Sequence, residues 1–151
     1  MTAADLYYQI QRFEDAAKFY ETAAKLKPGE SEPVIKAGNA YFDGAAESSK
    51  QGDDQAANEG YIQAEKWYRQ ALQINPKDIN VRSDMGLTFF LRTPRDIDRA
   101  IKEYKSSLET NANHEITLQN LAIAYTEKGD KEALVKTLER LKRVNPNNEF
   151  L

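Results

Sequence analysis

The chain has 151 residues, enough to bury a core within one domain, and carries a formal charge of −3 from 21 basic and 24 acidic side chains. That mixed balance excludes the one-sided basic excess of a nucleic-acid footprint, and the absence of cysteine excludes disulfides and thiolate metal sites. No apolar run approaches the roughly 18 residues of a membrane span, and the first ten residues lack the basic-then-apolar order of a secretory leader.

Leu6, Tyr7, Tyr8, Ile10 and Phe13 open the chain at helical spacing. A strongly amphipathic helix is predicted over 14–27 and ends at Pro28-Gly29, because the residue before proline is biased away from the helical region. Ser31 as N-cap and Pro33 in the first turn predict the next start. That helix carries Val34, Ala37, Gly38, Tyr41 and Phe42. A glycine inside a helix costs about 1 kcal/mol relative to alanine; a close helix–helix crossing at Ala37-Gly38 supplies the reason to keep one. The stretch 44–60 has no large apolar side chain before Tyr61, and two readings stand beside each other. Either both flanking helices lengthen by about two turns, with the tip at Gln51-Gly52-Asp53-Asp54, or a loop begins at Asp43-Gly44. The strongest helix covers 61–74 and stops before Pro76. Asp78 caps a helix over 79–91 that carries Met85-Gly86 and Phe89. Thr93 followed by Pro94 predicts a start for the helix ending near residue 109. A helix over 114–125 with Leu121-Ala122 and a last one over 131–144 follow, joined by Gly129-Asp130.

Two of these segments are copies. AAKFYETAAKLKP from Ala16 and AEKWYRQALQINP from Ala64 obey one pattern, A-x-K-[FW]-Y-x-x-A-x-x-[LI]-x-P. The pattern returns, weakened, at Ala100, Tyr104, Ser107 and Ala112, and at Leu134, Leu138, Leu141 and Pro146. Such a period means stacked supersecondary units, none of which can bury its apolar face alone. Pro76 follows Pro28 by 48 residues where Pro146 follows Ala112 by 34, so the second unit holds an insertion of 14.

These residues resemble the tetratricopeptide repeat family, whose unit is an antiparallel pair of helices, A and B. The family pattern is met by Val34, Ala37, Gly38, Tyr41, Ala64, Tyr68, Ala71 and Pro76. It is met again by Arg82, Met85, Gly86, Phe89, Ala100, Tyr104, Ser107 and Ala112, and by Leu118, Leu121, Ala122, Tyr125, Leu134, Leu138, Leu141 and Pro146. The resemblance implies an all-α, right-handed α-solenoid of stacked antiparallel hairpins forming a single repeat domain. Its units are a truncated first repeat at 1–30, a second at 31–77 with the insertion at about 45–60, a third at 78–113 and a fourth at 114–148. It also implies a concave groove lined by A helices, in which family members bind peptides or partner helices.

Residues one turn from the crossings are the expected groove lining: Ile35, Asn39 and Phe42, then Ser83, Asp84, Leu87 and Phe90, then Gln119, Asn120 and Ile123. Amides can bond a peptide backbone, while Leu87, Phe90 and Ile123 can receive apolar side chains. The plainer alternative is that Phe42, Phe90 and Ile123 pack between neighbouring A helices. Some family members clamp a chaperone's C-terminal carboxylate with Lys, Asn and Arg. The matching positions here are Ile35 and Asn39, Asp84, and Ile116 and Asn120, and Asp84 opposes a carboxylate. Moving the register by one unit offers Lys36 but then Asn80 and Asp84.

Catalysis is not expected. His114 is the sole histidine, at a helix start, and no P-loop, dinucleotide fingerprint or nucleophile–base grouping is present. Asp53-Asp54 reads as a cap and not as a metal site, and no cofactor is implied. The basic residues Lys136, Arg140, Lys142 and Arg143 alternate with Glu132 and Glu139 as a solvated face. The expectation is a non-catalytic scaffold for a protein or peptide partner, without nucleic acid and without a membrane span. Its alternatives are a self-association module acting through the truncated first repeat, or a regulatory repeat domain of a larger bacterial envelope or assembly protein, of which this chain is a fragment. Cytoplasm and periplasm both fit.

Overall fold

The computed structural model describes residues 2–151, which form eight α-helices and no strand. They are α1 (Ala3–Gln9), α2 (Phe13–Leu26), α3 (Ser31–Lys50), α4 (Asp54–Ile74), α5 (Ile79–Leu91), α6 (Ile97–Thr110), α7 (Glu115–Lys128) and α8 (Lys131–Val144). Two compact units result. The first runs to Pro76 and includes Leu91–Pro94; the second comprises Lys77–Phe90 and Arg95–Leu151.

In the first unit, α1 opens with a capping box: Thr2 accepts from the Asp5 N–H and Asp5 accepts from the Thr2 N–H. Its turn into α2 places Gln11 at φ 60. Ala4, Ala16, Ala17, Tyr20, Ala37 and Ala40 form the core, with Tyr7, Tyr8, Tyr41 and Trp67 packed on it. Small residues dominate because the helices approach closely. At Gly38 a Cβ would stand 2.7 Å from the Tyr68 ring, far inside contact distance.

The insertion lengthens helices and does not form a loop. α3 runs for 20 residues and α4 for 21. The tip lies where the longer-helix reading puts it, with Gly52 at φ 80 and the Asp53 carboxylate accepting from the Ala56 N–H at 3.0 Å. The added length closes on small residues. Ala45, Ala57 and Tyr61 are buried together, with Phe42 against them edge-on to Tyr61. A Cβ on Gly60 would stand 2.8 Å from the Ala45 Cβ and 3.2 Å from both the Ala45 Cα and the Tyr41 carbonyl oxygen.

The second unit repeats the crossing. Gly86 receives the Tyr104 ring, which would lie 2.6 Å from an added Cβ. Val81, Phe89, Tyr104, Leu118 and Leu141 are fully buried. Asn120 reaches Ser83 at 3.5 Å, which sets α7 beside α5. The α7–α8 turn uses Gly129 in the left-handed region at φ 76, followed by Asp130, whose carboxylate accepts from the Ala133 N–H.

Two helix starts differ from the sequence reading. Ser31 is the first helical residue and caps nothing with its side chain; Glu30 is the N-cap. The start expected at Thr93-Pro94 falls at Ile97, because the Asp96 carboxylate takes the Arg99 N–H at 3.2 Å and is the stronger cap. The Thr93–Pro94 bond is cis, within the connection.

Candidate functional site: the A-helix faces

α2, α4 and α6 each pass a tyrosine (Tyr20, Tyr68, Tyr104) behind an odd helix, where α8 has Leu138, and that side chain consumes the back of the crossing. What remains free for other work is the opposite face of α1, α3, α5 and α7. The residue just after each small crossing residue is the first on that face: Asp5 after Ala4, Asn39 after Gly38, Leu87 after Gly86, Ile123 after Ala122.

In the first unit this face is polar. Tyr20 donates to Asp5 at 2.8 Å and Tyr68 donates to Asn39 at 2.9 Å. Lys36 lies 3.3 Å from Asp5 and 3.1 Å from Glu32. Tyr8 donates to Asp43. Asp5, Tyr8, Gln9, Tyr20, Lys36 and Asn39 surround a cavity of about 510 Å³. The Thr2 N–H, together with the Tyr20 hydroxyl, holds the Asp5 carboxyl well below its ordinary range. Burial, reinforced by the bond to Asp5, pushes Tyr20 up to about 12. Tyr8 is raised by burial and by Asp43, and Tyr41 by burial and by Glu21, to which it donates at 2.6 Å. These tyrosines are therefore neutral donors throughout the physiological range.

Of the residues expected to line the groove here, Ile35, Asn39 and Phe42 are all half-buried. Asn39 is anchored through its carbonyl, which leaves its amino group for other contacts. Phe42 spends its ring on Tyr61, 5.4 Å between centroids. From sequence, Asp5, Gln9 and Asp43 are not expected on this face, Tyr8 reads only as an apolar helical position, and Lys36 enters only in the shifted clamp register. The signal for Asp5 was present, since it follows a small residue as Asn39 does.

In the second unit the face is mostly apolar and amide. Leu87, Gln119, Asn120 and Ile123 are half-buried, and Ile116 is 58% exposed. Asp84 is half-buried beside them. Ser83 and Phe90 are buried, at 2% and 8% exposure, and support the face without presenting much surface. Phe90 instead carries the Arg95 guanidinium 5.1 Å above its ring. His114 is the N-cap of α7, and its Nδ1 sits 2.6 Å from the Thr117 hydroxyl. Among the described residues no three His, Asp or Glu side chains gather as a metal site, and no helix is long and apolar enough to cross a membrane.

Comparison with known proteins follows the same lines. Family models described as "Tetratricopeptide repeat" match residues 117–150 and 1–30. The chain is 23% identical over 145 residues to human "Tetratricopeptide repeat protein 6", covering 96% of this chain and a quarter (25%) of that protein's length. Among solved structures, "MamA MSR-1 C2" superposes with a TM-score of 0.71 at 16% identity, over 93% of this chain and 71% of the other. "First TPR of Spaghetti (RPAP3) bound to HSP90 peptide SRMEEVD" gives 0.58 at 16% identity, over 75% of this chain and 85% of the other. At such identities the likeness speaks for the fold, an α-solenoid of antiparallel hairpins.

Proposed function

Because the chain is a tetratricopeptide repeat protein, we propose that it is a non-catalytic interaction scaffold that binds an extended segment of a partner protein along its A-helix faces. The observation that carries this is the strip formed by Leu87, Ile116, Gln119, Asn120 and Ile123, where apolar and amide side chains lie at least partly exposed on two adjacent A helices. Apolar side chains and amides together match an extended peptide, which offers alternate side chains and backbone N–H and C=O groups. The structure of the RPAP3 repeats with a peptide supports a peptide as the kind of partner. An acidic tail like the one in that complex is not the partner chosen here, since Asp84 stands on the face and no basic pair flanks it.

The test is capture from a lysate with wild type and with Leu87→Ala plus Asn120→Ala, after circular dichroism shows equal helix content. A partner held by wild type and released by the variant supports the reading. A partner held equally by both moves recognition off this face.

A second reading has its own observation. Leu6, Ile10 and Phe19 are 49%, 56% and 46% exposed on the α1–α2 hairpin, an apolar surface suited to a second copy. Sedimentation of wild type against Leu6→Glu plus Ile10→Glu separates the two. A concentration-dependent dimer lost in the variant supports self-association, and a monomer at all concentrations removes it.

A further inference from the structure

Tyr125 follows Tyr41 by 84 residues, and Lys105 follows Glu21 by the same 84, so α2 and α3 correspond to α6 and α7. The helices after them align through the repeat pattern: Leu134 stands where Ala64 stands, and Thr137 where Trp67 stands. These matching positions are closed in the first unit and open in the second. In the first, Tyr41 donates to Glu21 at 2.6 Å and Trp67 packs on the core. In the second, Lys105 cannot accept, and neither it nor Tyr125 has a hydrogen-bond or ion-pair partner among the described residues. Thr137 supplies no ring and turns its hydroxyl back to the Ala133 carbonyl at 2.7 Å. A cavity of about 350 Å³ lies at this place, between α6 and α8.

Leu108, Leu121 and Tyr125 floor the cavity, and Lys105, Lys136 and Arg140 stand around it. Lys105 and Lys136 are exposed, and Arg140 is half-buried. Lys136 pairs only with the exposed Glu132 of its own helix, and Arg140 gives one N–H to the Ala112 carbonyl. All three therefore keep donors for an incoming group. Against these cations the described lining sets one acid, Glu109. We propose that this cavity is a second docking site, which takes one aromatic or large aliphatic side chain from an acidic segment of a partner protein.

The inserted side chain is large and apolar because the first unit places its own indole at the matching position, over a floor of the same kind. The segment is acidic because the cations outnumber the acid around the cavity and Lys105 has no partner to satisfy it. A phosphate chain, the other common polyanion, fits less well. Glu109 opposes it, and Tyr125, at 7% exposure, offers no ring face on which a base could stack. The site uses Leu121 and Tyr125 of α7, whereas the peptide strip described above uses Gln119, Asn120 and Ile123. Each can therefore be lost without the other.

The probe is a library of heptapeptides, acetylated and amidated at their ends, tested on the full chain. Peptides in which acidic residues flank one Phe, Trp or Leu are expected to bind wild type and to weaken as salt is added. Thr137→Trp returns the ring that the first unit has, and should abolish their binding while keeping or raising the melting temperature. Lys105→Glu plus Lys136→Glu changes only exposed side chains. It should weaken the same peptides about ten-fold, the size of two surface charge pairs, and spare neutral ones. Leu87→Ala plus Asn120→Ala should leave them bound. The charge variant decides alone if Thr137→Trp fails to fold. The proposal is overturned if no acidic peptide binds wild type, or if the folded cavity variants bind such peptides as wild type does. Release by Leu87→Ala plus Asn120→Ala overturns it too, because the peptides would then lie on the A-helix strip. So does tighter binding of a thymidine oligonucleotide than of any acidic peptide.

Discussion

The two units use one crossing to present two chemistries. Behind Ala4 and Gly38 in the first, a tyrosine hydroxyl is tied to a polar residue on the outer face, Asp5 or Asn39. Behind Gly86 and Ala122 in the second, the outer face turns aliphatic at Leu87 and Ile123. The crossing residue stays small, Gly or Ala, and at Gly38 and Gly86 an added Cβ would stand within 2.7 Å of a buried ring. The next residue along is only half-buried and sets the character of the surface. A repeat scaffold thus changes what it recognises without changing how it is built.

The contrast is most open to attack in alkali. Tyr8, Tyr20, Tyr41 and Tyr61 in the first unit all have raised pKa values, chiefly through burial, against Tyr104 in the second. A folded pKa above the unfolded value near 10 means that the unfolded chain gives up its protons first. Stability is therefore full below pH 10 and falls from there through about pH 12, where Tyr20 titrates. Raised lysines, Lys18 and Lys36 in one unit and Lys128 and Lys136 in the other, act with the same sign and in equal number. The single tryptophan, Trp67, reports on the first unit. Its fluorescence should change at lower pH than the helical circular dichroism; simultaneous loss of both signals would erase the difference between the units.

Next in size is Gly60→Ala. Its new methyl meets backbone atoms that cannot swing away, so a loss of about 2 kcal/mol is expected in urea denaturation. Both changes gain about 1 kcal/mol of helix propensity, but Gly86→Ala meets the Tyr104 ring and not backbone atoms, so its loss should be smaller. An equal cost would mean that the rings are as fixed as the backbone. Tyr68→Phe should cost about 1 kcal/mol and Tyr104→Phe close to nothing. The smallest effect is expected at the exposed Lys128–Asp98 pair, 2.6 Å apart. Asp98→Ala should change stability by under about 0.5 kcal/mol, and a larger loss would show that surface charge holds the second unit in a way it does not hold the first.

Much of this architecture can be read in the residues, because packing repeats and repeats are visible. Gly38 and Gly86 announce their crossings by being costly in a helix, and Gly52-Asp53 announces a tip. What could not be read was which acceptor each hydroxyl finds. Tyr8 with Asp43, and Tyr41 with Glu21, join residues of different helices, and no period in the chain links them. Ser83 and Phe90 share their spacing with the half-buried Leu87, and only packing against neighbouring helices separates buried from presented. At Thr93-Pro94 a good local signal lost to Asp96, three residues on, whose carboxylate reaches a backbone donor.

The elongated α3–α4 pair has a consequence for how such a chain can change length. Fourteen residues shared between two helices add one heptad to each, and seven residues bring a helix back to within about 20° of its starting face. Ala45 therefore falls in phase with Gly38, Ala57 with Ala64, and Tyr61 with Tyr68, so the added segment reproduces the pattern of small residue against tyrosine that it extends. A hairpin of this kind can grow or shrink by paired heptads without rotating any side chain out of the core. An increment other than a whole heptad in either helix would turn the Ala45–Gly60 contact away from its partner and leave the tip without a seam.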